Sequence, residues 1–276
     1  MIGREALKTI LLHVFEDSGF ESRLQVALDI TRGHEGHLSC IQPTTQFAPM
    51  SFGPLGGDFV TGINFEDMDA AERAYRDKIE KRLKEEDVSW DWQTGLGDPA
   101  TLLTERSRLA DLVVLSQSYG KRNAGDEPLP IAGDVAVHAH CAILIVPTEN
   151  ESFDCQAPMV VAWNGSAEAA RALRLALPML KMASDVHLVT VGEDGEDFPH
   201  TAASTYLARH GVPTVLHELK GKGKEASDII GQFATEQNAS ALVMGAYGHS
   251  RLRETLFGGV TKNLLNDTDI PLLMGH

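Results

Sequence analysis

The segment Ala241–Thr261, ALVMGAYGHSRLRETLFGGVT, joins an apolar run to a helical pattern through a glycine-rich connection. Its first four residues predict a buried β-strand, and the pattern from Val260 to Asn266 predicts a helix. In a doubly wound α/β protein, such a connection lies at the carboxyl edge of the sheet, where ligands bind. The segment therefore indicates both a fold class and the position of a site.

The glycines of this segment suit a phosphate group. Gly245 and Gly248 carry no Cβ, so the backbone can approach an anion closely. The N–H groups of Gly258 and Gly259 begin the predicted helix and can point at a phosphate, and Thr261 adds a hydroxyl donor. Taken without this spacing, a pair of glycines after a strand would indicate only a turn.

Apolar runs of similar length occur in the same order in both halves of the chain. They are Ile10–Val14, His37–Ile41, Leu112–Leu115 and Ala142–Val146, then Met159–Trp163, Val186–Val191, Ala241–Met244 and Ile270–Met274. Helical patterns separate them, so the long repeat predicts two βαβ domains. Apolar runs without alternation predict parallel strands that are covered on both faces.

The domain organisation follows from this repeat. A chain of 276 residues divides naturally into two domains of ordinary size. We expect one domain at 1–148 and the other at 157–276, joined by the polar segment Pro147–Pro158. The predicted fold is α/β, with two doubly wound, Rossmann-like domains.

Composition excludes several classes of function. The net charge of −15 disfavours nucleic-acid backbones and anionic membranes as partners. The chain shows neither a signal-peptide pattern nor a membrane-length apolar run, so we expect a cytoplasmic protein. Cys40, Cys141 and Cys155 are widely spaced and predict free thiols rather than disulfides or a metal site.

The glycine segment resembles the G-x2-G-x9-G-[S/T] nucleotide loop of the universal stress protein family. Gly245, Gly248 and Gly258 fit this pattern, whereas Gly259 stands where the family usually has Ser or Thr. The resemblance extends over nearly the whole chain, including the arrangement of two domains in tandem. It implies parallel five-stranded sheets that pack as a pseudo-dimer through the final strands, Ala142–Val146 and Ile270–Met274.

The resemblance also implies an ATP-type adenine nucleotide in the second domain, with Mg²⁺ left open. Family members place an acidic residue and an apolar residue at the ends of the first two strands, and here these positions match Asn164 and Val191. The amide of Asn164 can form hydrogen bonds but carries no charge. A turn with a helix N-cap is an equally good interpretation of Asn164-Gly-Ser166. The implied binding residues are Asn164, Val191, Met244, Gly245, Gly248, His249, Gly258, Gly259, Val260 and Thr261.

The corresponding segment of the first half has lost the glycine spacing. Asp134 stands near the predicted phosphate edge and would repel an anion, while Pro128 and Pro130 would reshape the loop. We therefore expect one nucleotide per chain, in the second domain.

Three functions compete. The first is a nucleotide-binding regulatory or stress-response protein, and the second is an interaction scaffold that needs no ligand. The third is a slow ATP hydrolase, although the sequence shows no catalytic residue set and no metal-ligand set near the loop. By resemblance, we also expect a homodimer of tandem chains.

Overall fold

The computed structural model describes residues 6–44, 65–117, 130–192, 198–221, 225–246 and 259–276. The first half contains β1 (Thr9–His13), α1 (Phe20–His34), β2 (His37–Thr44), α2 (Phe65–Leu83), β3 (Ser89–Leu96), α3 (Pro99–Arg106), β4 (Leu112–Ser116), α4 (Ala132–His138) and β5 (Ala142–Val146). The second half contains β6 (Met159–Ala162), α5 (Ala167–Leu175), α6 (Leu177–Leu180), β7 (Val186–Val191), α7 (His200–Arg209), β8 (Val215–Leu219), α8 (Glu225–Glu236), β9 (Ala241–Gly245), α9 (Gly259–Asp267) and β10 (Leu272–Gly275).

These strands form one sheet in the order β3-β2-β1-β4-β5-β10-β9-β6-β7-β8. Neighbouring strands within each half are parallel. The prediction of two doubly wound halves with parallel five-stranded sheets is thus confirmed. None of the helices that the structure describes is long and apolar enough to cross a lipid bilayer.

The two halves join where β5 pairs with β10, and this pairing is antiparallel. Leu144 stands opposite Leu273, and their side chains are 0% and 1% exposed. An apolar edge strand left open would invite aggregation, and here each edge strand covers the other. The predicted pseudo-dimer through the final strands is therefore confirmed, and it lies within a single chain.

A buried apolar cluster continues across this joint on each face of the sheet. Leu144 and Leu273 belong to the cluster beneath α1 and α5. Ile145 and Leu272 belong to the cluster beneath α4, α8 and α9. Each layer of helices therefore packs on a core that the two halves share.

The connection between the halves is anchored. Phe153 is only 6% exposed and packs into the cluster beneath α1. Its N–H group donates to Asp29 Oδ2 at 3.0 Å. The predicted polar linker thus contributes one apolar side chain to the shared core.

Two prolines move element boundaries away from the predicted positions. The helical stretch of sequence between Ser166 and the strand at Val186 is divided into α5 and α6, since Pro178 has no N–H group to continue the helical hydrogen bonds. The last strand begins at Leu272 rather than Ile270. Pro271 cannot donate a ladder bond, although its carbonyl accepts from the Leu242 N–H group at 2.9 Å.

The joint between the halves can be tested with Leu273→Ala. Removing this buried side chain should lower the free energy of unfolding by about 2–5 kcal/mol. Urea unfolding should shift to lower concentration alike for the first-half tryptophans, followed in a Trp163→Phe background, and for Trp163, followed with Trp90 and Trp92 replaced by Phe, because the tryptophans lie in halves that share a core. The control Leu109→Ala, at an 89% exposed position, should change stability by less than about 0.5 kcal/mol. A shift confined to Trp163 would contradict the shared core.

Candidate functional site

A cavity of about 250 Å³ lies at the carboxyl edge of the second half. The ends of β6, β7 and β9 form its floor. The first two turns of α8 and the first turn of α9 form two walls, and the start of α5 also lines it. It is lined by Ala162, Trp163, Asn164, Ser166, Ala169, Val191, Ala226, Ile230, Met244, Gly245, Val260 and Thr261. This is the edge at which the sequence predicted a ligand.

The cavity brings together six of the residues that the sequence singled out: Asn164, Val191, Met244, Gly245, Val260 and Thr261. Gly259 is the first residue of α9. Gly248, His249 and Gly258 lie outside the described residues. Four separate stretches of the chain therefore converge on one concave surface.

A tight turn follows β6 and presents Asn164 to the cavity. Asn164 Oδ1 accepts from the Ser166 N–H group at 3.1 Å. Gly165 has a φ of +76°, a conformation that favours glycine. Ser166 then caps α5, because its Oγ accepts from the Ala169 N–H group at 3.1 Å. The turn and N-cap are thus present, and Asn164 lines the cavity as well.

Gly245 is required by packing at the end of β9. A Cβ at this position would lie 2.6 Å from the Ala169 backbone nitrogen and 2.7 Å from the Glu168 carbonyl carbon. Gly275 is its register partner on β10, where a Cβ would lie 3.1 Å from Ala172 Cα. This glycine pair lets the backbone of α5 lie directly on the sheet beside the cavity.

The two helical walls are tied to each other. Asn263 Nδ2, on α9, donates to Ser227 Oγ, on α8, at 3.2 Å. Ser227 follows Ala226, which lines the cavity, and Ile230 lies one turn further along α8. A ligand that moves either helix would therefore act on the other.

Sequence reasoning did not assign Trp163, Ala226 or Ile230 to the site. Trp163 directly follows β6, and its indole Nε1 donates to the Phe198 carbonyl at 3.0 Å. Its position at a strand end is a signal that could have identified it. Ala226 and Ile230 share one helix face, but nothing in their spacing separates a pocket wall from a core face.

The cavity, as far as its lining is described, is mainly apolar, with a few polar groups and no charge. Among the residues that the structure describes, those lining it carry no ionisable side chain. Its polar side chains are one amide and two hydroxyls, from Asn164, Ser166 and Thr261. Apolar walls with a few convergent polar groups are typical of small-molecule sites, and the start of α9 provides a favourable end of a helix dipole for an anion.

The first half differs at the corresponding helix start. Asp134 is the third residue of α4, as Thr261 is of α9. Its side chain lines a groove between α3 and α4 together with Asp98 and Glu105. These carboxylates disfavour an anion near this helix start.

The fold and the cavity define the second half as a doubly wound α/β domain with a concave pocket at its carboxyl edge. Residues 157–276 match the model of the universal stress protein family. A universal stress protein family domain is therefore found at residues 157–276, as the glycine segment predicted.

Related proteins agree with this assignment. A universal stress protein of Synechocystis sp. is 31% identical over 135 residues, which cover 47% of this chain. The match covers 45% of that relative, so it spans about half of the relative's length.

Solved structures resemble the whole chain in fold. A universal stress protein from Archaeoglobus fulgidus is 14% identical, with a TM-score of 0.73 over 97% of each chain. A putative universal stress protein from Pseudomonas aeruginosa is 16% identical, with a TM-score of 0.62 over 98% of this chain and 93% of that one. Both halves thus have the fold found in these structures.

Gly245→Ala tests the packing role of this glycine. The added methyl group would collide with the backbone of α5, so the substitution should cost about 1–3 kcal/mol of folding free energy. Gly231→Ala is the matched control, because a Cβ there meets only Leu264 Cδ2, at 3.7 Å. Thermal unfolding should show a lower midpoint for Gly245→Ala and an equal or higher one for Gly231→Ala. Equal midpoints for Gly245→Ala and the parent would exclude the close contact.

Proposed function

We propose that the chain is a tandem universal stress protein that binds one adenine nucleotide of the ATP type in its second half. The observation that carries this proposal is the cavity, in which Asn164, Val191, Gly245 and Thr261 converge from four elements. The nucleotide would act as a regulatory ligand in a stress response.

The size and lining of the cavity suit part of a nucleotide. A volume of about 250 Å³ is slightly below the usual range for drug-sized ligands. We infer that the base and ribose lie inside, against Val191 and Ile230. The phosphates would extend towards the start of α9, where the Gly259 and Val260 N–H groups and the Thr261 hydroxyl can donate.

The chemistry of the lining favours binding over turnover. A phosphoryl-transfer enzyme supplies positive charge to the transition state and positions the attacking water. The described lining residues offer neutral donors and no general base. Any accompanying Mg²⁺ would be coordinated mainly by the phosphates and by water.

The proposal also covers the domain bounds, the oligomeric state, the location and the partners of the protein. The domains would span 1–148 and 157–276, and two tandem chains would form a homodimer. We also propose a cytoplasmic location, as the sequence predicts. The net charge of −15 argues against a nucleic-acid partner.

A ligand-independent scaffold is the second candidate, and the continuous sheet favours it. The β5–β10 joint already gives the chain the form of a dimer without any ligand. Native mass spectrometry of freshly purified protein separates the two candidates. One retained adenine nucleotide per chain supports the binding protein. A chain that retains no nucleotide and does not bind added ATP supports the scaffold.

Ala226→Phe should fill the cavity from α8 and weaken ATP binding at least about tenfold, which corresponds to 1.4 kcal/mol. Isothermal titration should give a stoichiometry near one for the parent. Ala202→Phe adds the same ring to an exposed position on α7 and should leave the affinity unchanged. Unaltered binding by a folded Ala226→Phe chain would exclude this cavity as the site.

Purified protein should bind ATP and hydrolyse it far more slowly than the roughly 10 per second of a typical enzyme. The sequence places His249 in the glycine segment, so His249→Ala is the informative variant. Phosphate release should be equally slow for His249→Ala and the parent. Turnover at an enzymatic rate that His249→Ala abolishes would instead establish a hydrolase.

A further inference from the structure

A fully buried arginine occupies the carboxyl edge of the first half. Arg23, on α1, is 0% exposed, and its partner Asp17 is 1% exposed at the side chain. The pair lies where the chain leaves β1, with Arg23 Nη1 donating to Asp17 Oδ1 at 2.6 Å. Few charged side chains are buried so completely in folded proteins.

Acceptor oxygens surround the guanidinium group. Nε donates to the His13 carbonyl at 2.8 Å, and Nη2 donates to the Phe15 carbonyl at 2.6 Å. Nη1 also donates to Ser116 Oγ at 2.7 Å, and this hydroxyl in turn donates to the Gly19 carbonyl at 3.1 Å. The arrangement fits the planar fork of a guanidinium group better than it fits any other common cation.

This acceptor ring lies between the strand ends that correspond to those of the second-half cavity. Ile10 pairs with Leu112 as Met159 pairs with Ala241. Ser116 is therefore the counterpart of Gly245, each being the last residue of its strand. The second half leaves a cavity at this edge, whereas the first half places an ion pair there.

We propose that the carboxyl edge of the first half is a binding site for a planar guanidinium-type cation, which Arg23 occupies from within the same chain. Its polarity is opposite to that of a phosphate site, because carbonyl, carboxylate and hydroxyl oxygens face the ligand. The site is thus filled when the chain folds and takes no nucleotide.

The buried side chains of Asp17 and His13, next to the guanidinium group, are consistent with this assignment. Among the described residues, Asp17 Oδ2 and His13 Nε2 are buried without a hydrogen-bond partner. Burial, with the charge of Arg23 as a second cause, lowers the pKa of His13 well below its usual value. His13 is therefore neutral at pH 7 and does not repel the cation.

Chemical rescue tests the proposal. Arg23→Ala leaves the Asp17 carboxylate buried and unpaired, so the unfolding midpoint should fall by about 10 °C. Methylguanidinium at 20 mM should enter the vacated space and raise the midpoint of Arg23→Ala by about 2–4 °C in a saturable manner. Methylammonium, which has the charge but not the planar fork, should raise this midpoint by less.

The controls separate a binding site from a general salt effect. Arg82→Ala also removes an arginine, but one that is 33% exposed and pairs with Glu21 at the surface. Neither this variant nor the parent should respond to methylguanidinium. The proposal would be overturned if methylguanidinium raised the thermal midpoint of folded Arg23→Ala no more than that of these controls. It would also be overturned if methylammonium raised that midpoint equally.

An Arg23→Ala chain that does not fold alone is still informative. Recovery of the native circular dichroism spectrum on adding methylguanidinium supports the site, and failure to recover overturns it. These measurements involve no nucleotide, so their outcome is independent of the proposed ATP site.

Discussion

The antiparallel pairing of β5 with β10 is the constraint on which the rest of the molecule depends. It covers the open edge of each parallel sheet and merges the cores on both faces. It also reverses the direction of the strands from one half to the other. Because the strands of the two halves run in opposite directions, the cavity of the second half and the Arg23 site of the first half face opposite ends of the molecule.

The two halves use the same strand ends for opposite electrostatic purposes. At the ends of β6 and β9 the chain provides an uncharged cavity beside a helix start, which favours an anionic ligand. At the ends of β1 and β4 it provides acceptor oxygens and fills them with Arg23. One fold thus supports an open site and a closed one, since function depends on local side chains rather than on topology.

The sequence was sufficient for the fold because its apolar runs are long, unbroken and repeated. It was also sufficient for the edge that holds the cavity, since Met244 and Gly245 end a strand that the pattern identifies clearly. Pocket walls such as Ile230 were not predictable, because a residue that faces a cavity follows the same helical period as a core residue. Arg23 was missed for a related reason: a charged residue near a helix start is usually exposed, and its burial depends on backbone carbonyls that only the folded chain brings together.

The glycine pair beside α5 affects how this segment should be compared between sequences. Gly245 heads the glycine segment, yet its lack of a side chain is already demanded by the nearby backbone of Ala169. A side chain at Gly275 is likewise excluded by the same helix, because a Cβ there would lie too close to Ala172. A domain whose helix lies on the sheet as α5 does would need both glycines with or without a nucleotide, so their presence records how the helix packs and is by itself no evidence of a ligand.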